Sequence, residues 1–184
     1  MTSYGENLNK AGYLLIIGSL QFILLWKIAE FLRPGYSVAE DVISALGVGE
    51  NSYIFNGSVA LLGLLGIAAA YFLKDLDKIF AALLGISSVG ALGVGLFPMD
   101  IPLPHSIAAL LTFLFSGLAA LYSYRLEKTN LKYLWALLGI ITLIALYLFM
   151  TKNYMGLGRG GMERLIVYPA LAWLLMYGRG IVSK

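Results

Sequence analysis

The sequence predicts an all-α polytopic membrane protein, a six-transmembrane-helix bundle in one domain, and three observations carry that prediction. Apolar residues make up 60% of the 184-residue chain and Asp, Glu, Lys and Arg only 12%, about half the charged share of a typical soluble domain. Mean hydropathy is +0.83. So few polar groups cannot cover a soluble surface, so lipid must cover part of it. The apolar residues also fall into six runs, each close to the roughly 20 residues a helix needs to cross about 30 Å of hydrocarbon.

The first run covers about 11–31. Lys10 ahead of it is reminiscent of a signal peptide, but the run outlasts such a peptide's apolar core and no small-residue cleavage site closes it. It reads as a retained span. The runs at about 55–73, 79–97 and 105–124 are close to charge-free, and a fifth occupies about 133–150. The last, about 165–182, is interrupted by Pro169 and carries Arg179 near its end, where a long side chain can reach the headgroups. The small residues of "GSVALLGLLGIAAA" (57–70) and "GISSVGALGVG" (85–95) let helix backbones approach closely, which places spans two and three at the tight centre. Gln21, mid-span, needs a polar partner and reads as packing glue.

Two connections, "KDLDK" and "RLEKTNLK", are short, charged and ordinary. The segment 33–56 is too long for a simple turn. Its centre, "SVAEDVISALG", has a serine suited to an N-cap, Glu40 and Asp41 in the first turns and a closing glycine. With Val38, Val42, Ile43 and Leu46 apolar, it reads as a short amphipathic helix, in the interface or folded back into the bundle. "GLGRGGMER" reads as a flexible loop. Trp26, Trp135 and many tyrosines fit interfacial aromatic belts.

Eight of the 13 lysines and arginines, Lys184 among them, fall on the side of the N-terminus, and five (Lys27, Arg33, Lys152, Arg159 and Arg164) on the other. The positive-inside rule then sets both termini in the cytoplasm and the connections at 32–54, 98–104 and 151–164 outside, for a multi-pass protein of the cell membrane. The scattered net charge of +3 speaks for orientation and against a nucleic-acid partner. With no cysteine there is no disulfide, thiolate metal site or cysteine nucleophile, and one histidine excludes a two-histidine zinc or haem site. No metal and no cofactor is expected. A His–Met haem pair through Met155 or Met162 is the weaker reading.

The unusual polar residues gather on the outward side: Arg33, Asp41, Ser44, Asn56, Asp100, His105, Glu163 and Arg164. Charge at membrane depth is expensive and turns to protein or water, so a shared polar pocket is expected there. Each residue also has a structural reading. His105 can bond a loop carbonyl, Asp100 can cap a helix, and Asp41 and Ser44, three apart, can share an exposed helical face. Lys27 and Glu30 read as an interfacial ion pair. In a catalytic version His105 is the acid or base, Asp100 its orienter, Ser44 the nucleophile and Arg164 the binder of an anion. Asp41, Asp100, Glu163 and His105 would hold a hard cation only if all four converged. Arg159 or Arg164 suits a headgroup contact. Phosphate-loop and dinucleotide motifs are missing.

"DVISALG" with "SYIFNGSVALLG" (41–63), "GVGLFPMDIPLPHSIAALLTFLFSGLAA" (93–120) and "GRGGMERLIVYPALAWLLMYG" (158–178) resemble, in order and spacing, the prokaryotic membrane family called domain of unknown function 998. The resemblance runs from about residue 10 to the end. It implies that Asp41, Ser44, Gly47, Asn56, Asp100, His105, Glu163, Arg164 and Tyr168 are the positions to watch, and it implies no reaction. Ala45 departs from the pattern, which would carry a polar residue. The layout is also similar, more distantly, to eukaryotic Frag1/DRAM/Sfk1-type membrane proteins, some linked to lipid remodelling or distribution.

The leading expectation is a protein whose partners are membrane lipids and whose outward pocket recognises a lipid headgroup or small polar ligand, with Arg33, Asp41, Asn56, Glu163, Arg164 and Tyr168 as ligand-binding residues. A small transporter and a subunit of a homo-oligomer or larger membrane complex are the alternatives, and whether it is an enzyme stays open. A transporter should show an inverted repeat or broken mid-membrane helices, and the two halves show no repeat.

Overall fold

The computed structural model describes residues 3–182; Lys184, part of the orientation bias, lies outside them. Six α-helices fill the chain: α1 (Ser3–Leu32), α2 (Ser52–Leu73), α3 (Lys78–Leu96), α4 (Pro102–Tyr122), α5 (Leu131–Met150) and α6 (Gly158–Val182). All six are long and apolar enough to cross a membrane. The described residues hold no strand.

Local chemistry sets several helix ends. Asp77 caps α3 by accepting the Phe80 N–H at 2.8 Å. Pro102 opens α4, where a missing N–H costs nothing. Asn51, at φ 61° in the left-handed region, turns the chain into α2.

Each helix packs on its sequence neighbours, α1 closes the ring against α6, and α4 also meets α6. With an even number of spans both described ends lie at one end of the bundle; the opposite end is called distal below. The α2–α3 contact is as close as its small residues predict. A methyl group added to Gly63 would overlap the Leu92 amide and the Ser88 carbonyl, so these backbones touch. Gln21 does act as glue, donating from α1 to the Ser58 carbonyl of α2 at 2.9 Å.

Three expectations need correction. The tryptophans are core residues: Trp26, Trp135 and Trp173 are fully buried, while tyrosines such as Tyr13, Tyr53, Tyr71 and Tyr147 face outward. Two indoles have polar partners inside, Glu30 for Trp26 and Ser123 for Trp173, which makes their burial tolerable. The last span starts at Gly158, so "GRGGMER" is helix, and Pro169 sits inside it without ending it. The expected amphipathic helix shrinks to a 3-10 turn, Ile43–Gly47. Ahead of it, the Ser37 N–H donates to the Asp41 carboxylate and the Asp41 N–H to the Ser37 carbonyl, both at 2.8 Å. That reciprocal pair closes a turn where the α-helix would have begun.

Gly63→Ala should lower stability by about 1–3 kcal/mol, seen as earlier thermal unfolding in mild detergent. Gly57→Ala, in the same helix but with open space around the added carbon, should be neutral or slightly stabilising.

Candidate functional site: the distal mouth

The segment 33–51 folds inward as a plug, with Ile43, Leu46 and Gly47 buried. Folded backbone near hydrocarbon must have its carbonyls satisfied by protein. Arg164 is central to this. Its side chain is 4% exposed, and Nη1 donates to the carbonyls of Val38 (2.7 Å), Asp41 (3.1 Å) and Gly160 (3.0 Å). Nη2 donates to Glu30 Oε1 at 2.5 Å and to the Tyr36 hydroxyl at 2.9 Å. A planar fork of five donors suits this task, and a lysine would not.

Glu30 is the charge partner. It also accepts Trp26 Nε1 and Lys27 Nζ, each at 2.8 Å. The Tyr36 hydroxyl donates to the Val42 carbonyl at 3.0 Å. Burial pushes the Tyr36 phenol up to about 12, so it stays a neutral donor at ordinary pH. Arg33 donates to the carbonyls of Ala45 (2.6 Å) and Val48 (2.7 Å), and Asn56 Nδ2 to that of Gly47 at 2.9 Å. Helix α6 meets the plug backbone to backbone. The Gly161 N–H donates to the Ala39 carbonyl at 2.9 Å, and a methyl group on Gly160 would overlap the Asp41 carbonyl.

Beneath the plug lies a second group. Glu163, 7% exposed, accepts the Ile43 N–H. His105, equally buried, bonds the Phe97 carbonyl through Nδ1 at 2.8 Å. A carbonyl only accepts, so Nδ1 carries the proton in the neutral ring and Nε2 presents a lone pair. The Ser44 hydroxyl contacts Met99 Sδ at 3.7 Å, a weak interaction. Ser44, His105 and Glu163 line two spaces. One is an interior cavity of about 100 Å³ walled by helices other than α5. The other is a cleft of about 880 Å³ bounded by α4, α5, α6 and the plug. Its walls include Ile107, Leu110 and Met150, themselves surface-exposed, so it opens on the flank of the bundle. Lys152, Tyr154 and Arg159 also line it, and both cations are exposed.

The candidate residues therefore divide. Arg33, Asp41, Asn56 and Arg164 hold the plug, while Ser44, His105 and Glu163 face the cleft. Asp100 is exposed, and the partner of His105 Nδ1 is the Phe97 carbonyl instead of Asp100. Asp41 and Ser44 do not share a helix, since Asp41 precedes the 3-10 turn. Tyr168 is 46% exposed on the flank, its ring 5.5 Å from that of Trp26 and its hydroxyl 3.4 Å from Lys27 Nζ. Among the described residues no three His, Asp or Glu side chains gather as a metal site. Sequence reasoning passed over Tyr36 and Lys152, and it took Glu30 only as the partner of Lys27. A carboxylate four residues after a tryptophan on one helical face was the available signal.

Fold and site thus define a multi-pass helical membrane protein whose distal mouth is closed by its own first long connection. The family described as "Protein of unknown function (DUF998)" matches residues 16–180, and the chain belongs to it. No curated protein and no solved structure matches the chain.

Gly160→Ala should loosen the plug at a cost of about 1–3 kcal/mol. Limited digestion with a glutamate-specific protease should then cut at the exposed Glu40 several times faster than in the wild type.

Proposed function

We propose that the chain binds a membrane amphiphile at its distal end, with an apolar chain in the cleft between α4, α5 and α6 and a headgroup phosphate against Lys152 and Arg159. The cleft itself carries this reading. At about 880 Å³ it is of ligand size, its flank opening admits a ligand from the bilayer, and its two exposed cations are placed to meet a phosphate. The ligand set differs from one drawn from sequence alone, because Arg33, Asn56 and Arg164 spend their donors on the plug. Lys152→Ala combined with Arg159→Ala should weaken retention of phospholipid, read by native mass spectrometry, by about tenfold or more. Unchanged retention would sink the proposal.

The lysine and arginine bias supports placing the distal end outside the cytoplasm, in the cell membrane. The cysteine-free chain makes the test clean. In intact cells a membrane-impermeant maleimide should label Asn153→Cys at the distal end, and should reach Asn130→Cys, at the opposite end, only after lysis. The reverse pattern would invert the orientation.

A further inference from the structure

The cleft is charged in two opposite senses. Lys152 and Arg159 are exposed, while Glu163 is 7% exposed against the interior cavity. Arg159 and Glu163 stand four residues apart on α6, one turn, so they share a face with Cβ atoms about 5–6 Å apart. They nevertheless do not pair. The ion pairs near the mouth are Lys27–Glu30 and Arg164–Glu30. Arg164, next in sequence to Glu163, turns into the plug.

Glu163 is therefore a buried carboxylate held by the Ile43 N–H and by the N–H and hydroxyl of Ser44, and neither of those ion pairs includes it. Such a group is costly to keep charged unless a cation arrives. Its companions on the cleft wall point the same way. His105 offers the Nε2 lone pair, since Nδ1 is occupied, and Ser44 offers a hydroxyl oxygen. Three acceptors at the base and two cations at the rim match a ligand with a positive end and a negative one.

We infer that the cleft selects a zwitterionic lipid headgroup bearing a primary ammonium, its phosphate on Lys152 and Arg159 and its ammonium on Glu163, Ser44 and His105. An –NH₃⁺ group has three N–H donors for these three acceptors. A quaternary ammonium has none, and an anionic glycerol headgroup leaves the carboxylate unneutralised. This inference rests on the amphiphile reading above and adds the headgroup's chemistry to it.

The test is a native mass spectrometry titration of the full chain in detergent with dioleoyl phosphatidylethanolamine, phosphatidylglycerol and phosphatidylcholine. The wild type should prefer the ethanolamine lipid by about tenfold, the worth of one charge-assisted contact. Glu163→Gln keeps an acceptor for the Ile43 N–H, and should erase that preference while leaving phosphatidylglycerol binding unchanged. Equal binding of ethanolamine lipid and either competitor by the wild type, which needs no variant, overturns the inference. So does a preference that survives Glu163→Gln. In both cases lipid is still bound and the amphiphile reading stands. If none of the three lipids binds, both fall together.

Discussion

A guanidinium with almost no access to water has to find an opposite charge, and the distal half of this molecule is arranged around the way Arg164 does so. Glu30 comes from the last turn of α1 and Arg164 from the second turn of α6, the pair of helices that closes the ring. Arg164 also donates to the Val38 and Asp41 carbonyls and the Tyr36 hydroxyl of the segment between α1 and α2. This ion pair thus joins the first and last helices at the distal end and fixes the connection that would otherwise leave unpaired backbone near lipid. Removing Glu30 strands the buried guanidinium, which costs more than the pair itself contributes; removing Arg164 leaves Glu30 with Lys27 and Trp26 but strips the plug carbonyls of their donor.

The proposed function rests on two adjacent residues with opposite duties. Successive residues of an α-helix point about 100° apart, so Arg164 faces the plug while Glu163 faces the cavity and cleft. The Ile43 N–H, a plug group, holds the Glu163 carboxylate. Plug and site are therefore one construction: a displaced 3-10 turn would release the carboxylate and remove Ser44 from the cleft wall together. The close glycine contacts of α6 with Ala39 and Asp41 hold that turn in place.

The six spans were legible because bilayer thickness sets a length that composition reveals directly. The gathering of polar residues at one end was legible for the same reason, once the spans were alternated. Their division of labour was not. Arg33 and Asn56 look like ligand binders until the carbonyls of Ala45, Val48 and Gly47 fold against them, and no spacing rule reports such long-range pairs. Glu30 has a lysine three residues earlier, which satisfied a local reading and hid the arginine 134 residues away. The start of α6 was missed because glycine has low helix propensity, whereas here Gly160 serves close approach to the plug. Trp26 and Trp135 were assigned to the interface by a statistical tendency; the buried partner Glu30 overrides it for Trp26, and packing against Tyr177 in the core overrides it for Trp135.

The account stands or falls on the Glu30–Arg164 pair, and a double-mutant cycle in reversible detergent unfolding measures it most directly. Glu30→Gln, Arg164→Gln and the double variant should give a coupling energy of about 2 kcal/mol or more, with either single change costing about 3–5 kcal/mol. The half-exposed Lys27–Glu30 pair, with Lys27 45% exposed, should couple by about 1 kcal/mol or less in a parallel cycle. A Glu30–Arg164 coupling no larger than that of Lys27–Glu30 would contradict the claim that this ion pair organises the distal end.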